Sequence, residues 1–181
     1  MSMGTIALVV GMALAGVPAT PDAQRPDRTA LQAAVDDFSA LDLSGERASM
    51  RDWGGRVVLL EFWATWCAPC LADIPWLQTA RRRHGGRLEI VGVSLDVIDR
   101  AAFVSWLRRH GIEWRQVYDG RGWSSPTIAP FTLDAIPFNV LVGADGRVIG
   151  VDVRGETLLR TLDVLLQDRA RHLEPPSSTT R

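Results

Sequence analysis

The sequence predicts a mixed α/β fold, in which a central β-sheet is flanked by helices on both faces. Continuous apolar runs at residues 57–63 and 88–94 are typical of strands buried on both faces, and each is followed by a segment with helical spacing of apolar residues. Residues 138–153 have the pattern of a hairpin, and residues 157–173 that of a final helix. Alternating strands and helices, followed by an antiparallel hairpin, favour such a sheet.

The N-terminal part of the predicted domain is a short β-hairpin over residues 37–50, with its turn at residues 43–45. After the first buried strand, residues 71–83 are predicted to form a helix that ends at Gly85. Pro75 lies inside this helix and should kink it, because proline removes a backbone donor and clashes with the preceding turn.

The second buried strand leads into another predicted helix at residues 99–110. Phe103 and Leu107 face inward in this helix, and Gly111 ends it. A short strand at residues 114–119 should follow. These elements place two strand–helix units before the C-terminal hairpin.

The 181-residue chain divides into four predicted segments. Residues 1–19 read as a signal peptide or a short hydrophobic anchor, because their apolar run is shorter than the roughly 20 residues that span a bilayer. Residues 20–35 are predicted to be a linker, residues 36–173 the domain, and residues 174–181 a disordered tail. We therefore expect an exported protein in the periplasm or another extracytoplasmic space, with tethering by the N-terminus as the alternative to cleavage.

Composition and charge exclude several function classes. The net charge is −1, which gives no reason to expect a nucleic-acid partner. All 20 basic residues are arginine, so Schiff-base chemistry on lysine and a P-loop lysine are both impossible. The prediction includes no cofactor and no bound metal.

Cys67 and Cys70 are the only cysteines, too few for a disulfide scaffold or a four-cysteine zinc site. Their spacing across a strand-to-helix junction allows a disulfide and places the first sulfur at a helix N-terminus. Unpaired N–H groups and the helix dipole there lower a cysteine pKa from about 8.5 to about 3.5–7.5. Cys67 is thus the predicted nucleophile and Cys70 the resolving thiol, and Pro69 suits the opening turn of the helix.

The segment from Glu61 to Cys70 (Glu-Phe-Trp-Ala-Thr-Trp-Cys-Ala-Pro-Cys) resembles the active-site segment of thioredoxin-like proteins, above all the exported TlpA/ResA branch. The resemblance extends over most of residues 36–168 and includes the N-terminal hairpin. It implies a thioredoxin fold with an N-terminal β-hairpin extension. It also implies a thiol–disulfide oxidoreductase of the protein-disulfide reductase type.

The resemblance assigns roles around the cysteine pair. The proline at the position of Pro137 is cis and faces the disulfide in that family, so Pro137 and Ile136 should line the substrate groove; an ordinary strand-edge proline is the alternative. Phe138 and Asn139 depart from the usual residues, which are small or threonine. Trp66 is expected to shield the disulfide and contact partners, and so to bind substrate together with Ile136 and Pro69.

Acidic residues near the pair are the other candidates. A carboxylate in a buried strand is costly, and its pKa should rise, so we read Glu61 as the acid/base for Cys70. The alternative for Glu61 is a structural role, in which its carboxylate reaches the polar edge of the sheet or pairs with an arginine. Asp73 matches a family carboxylate near the site, but a first-turn acid favoured by the helix dipole explains it equally well. Trp123 is the remaining tryptophan that could reach the site.

Two other functions compete with this interpretation. A peroxiredoxin would need threonine three residues before its cysteine, whereas Thr65 is two before Cys67. A copper-chaperone-like, metal-binding protein without redox turnover would need a histidine ligand downstream. The uncharged Ala-Pro dipeptide between the cysteines favours a reductant acting on exported proteins. We expect an upstream membrane-bound thiol–disulfide donor and a monomeric protein.

Overall fold

The computed structural model describes residues 27–173, and the side chains of residues 27–166. Four helices and seven strands follow one another in this part of the chain, interspersed with short 3-10 turns. In chain order they are α1 (Arg28–Asp36), β1 (Ser39–Leu41), β2 (Arg47–Ser49), β3 (Val57–Trp63), α2 (Ala68–His84), β4 (Leu88–Ser94), α3 (Arg100–Arg109), β5 (Arg115–Val117), β6 (Phe138–Val142), β7 (Val148–Val151) and α4 (Gly155–Leu173).

The central sheet has five strands in the order β5-β4-β3-β6-β7. Strand β3 runs parallel to β4 and antiparallel to β6, so it has a neighbour on each side. All seven residues of β3 are buried, which is why its sequence is apolar throughout except at Glu61. The predicted mixed sheet with helices on both faces is confirmed.

Residues of β3 alternate between two packed faces of the sheet. Glu61 lies on the face covered by α2 and α4, which contact each other. Phe62 lies on the opposite face, where its ring centroid is 4.7 Å from that of Phe131. The redox segment therefore leaves the most buried strand of the sheet and enters α2.

The predicted N-terminal hairpin is confirmed as the antiparallel pair of β1 and β2, with Ser39 opposite Ser49. The prediction of a linker over residues 20–35 is wrong for its last part, because Arg28–Asp36 is helix α1. The Asp27 side chain caps this helix by accepting from the Thr29 N–H, and Val35 is fully buried. The helical spacing of Leu31, Ala34 and Val35 is the signal that the linker interpretation overlooked.

The other predicted elements are confirmed with small shifts of their ends. Helix α2 begins at Ala68, one turn before the predicted start, and its C-cap is Gly85. The predicted strand at residues 114–119 is shorter, since β5 spans only Arg115–Val117. The predicted segment 1–19, the first residues of the linker and the tail at 174–181 lie outside the described residues. Within residues 27–173, no helix has the length and apolar character needed to cross a bilayer.

Candidate redox site

Cys67 and Cys70 form a disulfide at the start of α2, with an S–S distance of 2.02 Å and Cα atoms 5.3 Å apart. Cys67 is the N-cap of the helix, and its Sγ accepts a hydrogen bond from the Cys70 N–H at 3.3 Å. A donor at this place stabilises a thiolate on Cys67 once the bridge is reduced. The predicted placement of the first sulfur at a helix N-terminus is thus confirmed.

The residues that adjoin the cysteine pair in sequence are exposed to solvent. Trp66, directly before Cys67, is 58% exposed, and Ala68 and Pro69 between the cysteines are exposed as well. The two cysteines themselves are buried, with Cys67 5% and Cys70 2% exposed. Trp66 and Pro69 are thus accessible to a partner, and the substrate-binding role of these residues stays a prediction.

The loop before Cys67 is held by a buried carboxylate that the sequence reasoning missed. Asp96 is fully buried and accepts from the Thr65 hydroxyl at 2.6 Å and from the Thr65 N–H at 2.9 Å. The Ser94 hydroxyl donates to the same carboxylate at 2.9 Å. An aspartate two residues beyond β4, which runs parallel to β3, was the available signal, because the carboxyl ends of neighbouring parallel strands lie together.

The peptide bond between Ile136 and Pro137 is cis, as the family resemblance implied. Both residues are half-buried and directly precede β6, the antiparallel neighbour of β3. The Pro137 carbonyl accepts a hydrogen bond from the Arg154 guanidinium. The role of Pro137 and Ile136 in lining a substrate groove stays a prediction.

Glu61 is 3% exposed, and its Oε1 has no hydrogen-bond partner. It shares with Cys70 the lining of a small cavity whose other walls include Ile74 and Trp114. Burial raises the pKa of Glu61 from 4.5 to about 8, although the Arg154 charge acts to lower it. A carboxyl that titrates near neutral pH and lies next to the resolving cysteine can exchange a proton with it.

Asp73 lies on α2 one turn beyond Cys70, where its Oδ2 is 3.9 Å from the Arg154 Nε. Burial raises the pKa of Asp73, and Arg154 opposes that rise. The structure therefore brings Asp73 and Glu61 to a common crevice, and Arg154 with them. The sequence reasoning missed Arg154, because one arginine among 20 carries no pattern of its own.

The remaining candidates lie elsewhere. Trp123 is 47% exposed in the 3-10 turn Gly122–Ser124, and its proposed reach to the site stays a prediction. Among the described side chains, no cluster of three or more His, Cys, Asp or Glu residues could hold a metal ion. His84 pairs with Asp163 at 2.9 Å, and His110 stacks on the ring of Trp106.

The sheet order, the disulfide at the head of α2 and the cis proline before β6 define a protein of the thioredoxin-fold class with a cysteine pair suited to redox chemistry. A family model described as the AhpC/TSA family matches residues 31–150. The chain belongs to this family.

Relatives whose names describe redox proteins support this placement. The chain is 26% identical over 131 residues to the thiol-disulfide oxidoreductase ResA of Bacillus thuringiensis subsp. konkukian, covering 72% of this chain and 73% of the relative. It is 38% identical over 65 residues to the thioredoxin-like protein YneN of Bacillus subtilis, but this match spans only 38% of that protein's length. The matches agree with the predicted resemblance to the ResA branch.

A solved structure gives the same result for the fold. The thiol-disulfide oxidoreductase from Bacteroides fragilis NCTC 9343 superimposes with a TM-score of 0.63 at 30% identity. The superposition covers 71% of this chain and 96% of that structure. Nearly the whole length of a solved structure named as a thiol-disulfide oxidoreductase thus corresponds to the domain described here.

Proposed function

We propose that this protein is a thiol–disulfide oxidoreductase that reduces disulfides in protein substrates. The observation that carries the proposal is the position of the Cys67 Sγ, which caps α2 and accepts from the Cys70 N–H at 3.3 Å. The relatives named as thiol-disulfide oxidoreductases, across most of the domain, support the same chemistry.

The proposed reaction has two steps that balance in sulfur and electrons. The Cys67 thiolate attacks one sulfur of the substrate disulfide, forming a mixed disulfide and releasing the other substrate sulfur as a thiolate. Cys70 then loses its proton to Glu61 and attacks the Cys67 sulfur, which releases the substrate's second thiolate. The substrate gains two electrons, and the protein ends with the Cys67–Cys70 disulfide found in the structure.

The direction of electron flow is part of the proposal. Ala68 and Pro69 bring neither a charge nor a histidine to the pair, so nothing between the cysteines adds to the stabilisation of the thiolate by the helix N-terminus. Strong oxidants owe their high potential to a stabilised reduced form. The neutral dipeptide therefore favours a reductant.

The proposed setting is extracytoplasmic, with exported proteins as substrates, among them apocytochromes. The N-terminal apolar segment in the sequence and the ResA relative support this setting. An upstream thiol–disulfide donor in the membrane would return the pair to the dithiol state after each turnover. We expect the protein to act as a monomer.

The test uses the full chain in its reduced form with insulin as the disulfide substrate. The wild type should reduce insulin, Cys67→Ser should be inactive, and Cys70→Ser should accumulate a mixed disulfide that a dithiol releases. Equilibration with glutathione should place the potential nearer the roughly −270 mV of a reductant than the roughly −120 mV of a strong oxidant. A potential near the latter value would overturn the assigned direction, and an inactive wild type would overturn the function.

A peroxiredoxin-type thiol peroxidase, raised as an alternative from the sequence, is a second candidate. The Thr65 hydroxyl is the group nearest in sequence that could assist a peroxide at Cys67, yet it donates to Asp96 at 2.6 Å. Consumption of hydrogen peroxide at a rate comparable to insulin reduction would favour the peroxidase. Tight binding of Cu(I) by the reduced protein without insulin reduction would favour the copper-chaperone alternative.

A further inference from the structure

The connection between β7 and α4 has a backbone shape that brings one side chain toward the redox site. Asp152 and Gly155 have left-handed φ angles of 52° and 57°. Between them, Val153 is held by Asn139, whose Oδ1 accepts from the Val153 N–H at 3.0 Å and whose Nδ2 donates to the Val153 carbonyl at 3.1 Å. The backbone from which the Arg154 side chain extends is therefore held in place.

The Arg154 guanidinium contacts three separate segments. Its Nη2 donates to the Pro137 carbonyl in the cis-proline turn and to Asp152 Oδ1 at 2.6 Å. Its Nε lies 3.9 Å from Asp73 Oδ2 on the active-site helix. The Nε is itself buried without a hydrogen-bond partner, so Asp73 is the acid that it faces.

Glu61 borders the same group of charges from the sheet. It pairs with Asn139 across β3 and β6, and both residues line a narrow crevice with Asp73 and Arg154. The crevice leaves no room for a water molecule. The charged groups that act on Glu61 are therefore Arg154 and Asp152 from the β7–α4 connection and Asp73 from α2, with the neutral Asn139 amide from β6.

We propose that Arg154 is a positioning residue of the redox site, which fastens the cis-proline turn to the active-site helix and supplies the positive charge opposite the buried Glu61. This inference rests on the proposed function, since it assigns a role in proton transfer to Cys70. Arg154 acts through Glu61 and Pro137 and does not itself touch the sulfur atoms.

The inference predicts opposite effects for two substitutions in one cluster. Removal of the positive charge in Arg154→Gln leaves Glu61 facing only negative groups, so its carboxylate form becomes less favourable. Removal of the negative charge in Asp73→Asn has the reverse effect. A loss of packing alone would not move the titration of Glu61 in opposite directions.

The experiment follows the Glu61 carboxyl carbon by NMR between pH 5 and pH 10 in the oxidised full chain, where the cysteines do not titrate. Glu61→Gln assigns the signal. The midpoint should rise by about one pH unit in Arg154→Gln and fall in Asp73→Asn. Arg160→Gln is the matched control, because Arg160 is an exposed arginine of α4 paired only with Glu156 among the described side chains, and its loss should leave the midpoint unchanged.

Arg154→Lys separates the two roles of the guanidinium. Lysine keeps the positive charge but lacks the planar fork that reaches both Pro137 and Asp73. The Glu61 midpoint should therefore stay near that of the wild type, while KM for insulin rises severalfold with a smaller change in kcat.

An unchanged midpoint in both Arg154→Gln and Asp73→Asn would overturn the electrostatic role, and an unchanged KM in Arg154→Lys would overturn the fastening role. If Arg154→Gln does not fold, Asp73→Asn and Arg154→Lys still decide. Failure of the proposed function would appear separately, as a wild type that does not reduce insulin whatever the Glu61 titration.

Discussion

Two buried carboxylates lie near the redox site, and their surroundings are opposite. Asp96, at the end of β4, is fully buried and accepts three hydrogen bonds from Thr65 and Ser94. Glu61, in the middle of β3, is almost as buried, yet its Oε1 has no partner. Both acids are close to the same short segment, one holding the loop before Cys67 and the other facing Cys70.

The difference separates a structural acid from one suited to proton exchange. Hydrogen bonds to a carboxylate favour its charged form, whereas burial without such bonds favours the neutral acid. Burial raises the pKa of Glu61 to about 8, although the Arg154 charge and a hydrogen bond with Asn139 oppose that rise. Asp96 positions the backbone that carries Trp66 and Cys67, while Glu61 is left free to gain and lose a proton.

The largest expected effect concerns stability against pH in the oxidised protein. Because the pKa of Glu61 is higher in the folded state (about 8) than its ordinary value of 4.5, the folded protein keeps a proton that the unfolded chain has lost over this interval. Its contribution is fully present below pH 4.5 and is lost as the pH rises through 8. The free energy of unfolding of the wild type, relative to Glu61→Gln, should fall by about 4 kcal/mol between pH 5 and pH 9.

Urea unfolding of wild type and Glu61→Gln at the two pH values measures this quantity. The difference between the two proteins cancels the titration of all other groups that they share. An equal difference at pH 5 and pH 9 would show that folding does not raise the pKa of Glu61, and its proposed role in proton exchange would be lost.

The second-largest expected effect is a lower free energy of unfolding when Asp96 is replaced by asparagine. In Asp96→Asn, an NH₂ group at the position of Oδ2 would face the Thr65 N–H as donor against donor. An NH₂ group at the position of Oδ1 would face the Thr65 hydroxyl, which would have to rotate and accept instead of donating. We expect a loss of about 2–3 kcal/mol at pH 7, measured by urea unfolding. Asp99→Asn is the matched control, since Asp99 caps α3 at an exposed position and asparagine caps helices as well as aspartate does.

A result for Asp96→Asn no larger than that of the control would contradict the structural role. Thiolate formation on Cys67 offers an independent check, because iodoacetamide labelling of the reduced variant reports whether the loop still places the sulfur at the helix N-terminus.

The role of Glu61 could be predicted from the sequence, whereas that of Asp96 could not. The apolar run of β3 made Glu61 conspicuous, since a single carboxylate among buried residues requires an explanation. The cysteine pair was likewise predicted, because its spacing is a short local pattern, and the cis proline was predicted from the family resemblance. Local patterns are what a single sequence displays.

Asp96 and Arg154 were missed because their roles depend on contacts across the chain. Asp96 bonds to a residue 31 positions away, and Arg154 reaches Pro137 at a separation of 17. Helix α1 was missed for a related reason, as its short apolar face only makes sense once the sheet it covers is known. Such features follow from the register of β3 with β4 and β6, which one sequence does not fix.

The smallest expected effect isolates one bond of the Asp96 cluster. Thr65→Val removes the hydroxyl that donates to Asp96 at 2.6 Å but keeps the shape of the side chain and the backbone N–H bond. The Thr65 N–H and the Ser94 hydroxyl both bond Oδ2 of Asp96, so the variant leaves Oδ1 without the hydrogen bond from Thr65. We expect a loss of about 1.5–2 kcal/mol in urea unfolding. Thr161→Val is the matched control: its hydroxyl donates to the carbonyl one turn earlier on exposed α4, and its removal should cost less. Equal losses in the two variants would mean that the Thr65 hydroxyl adds nothing to the cluster, and that the backbone N–H alone fastens the loop before Cys67 to Asp96.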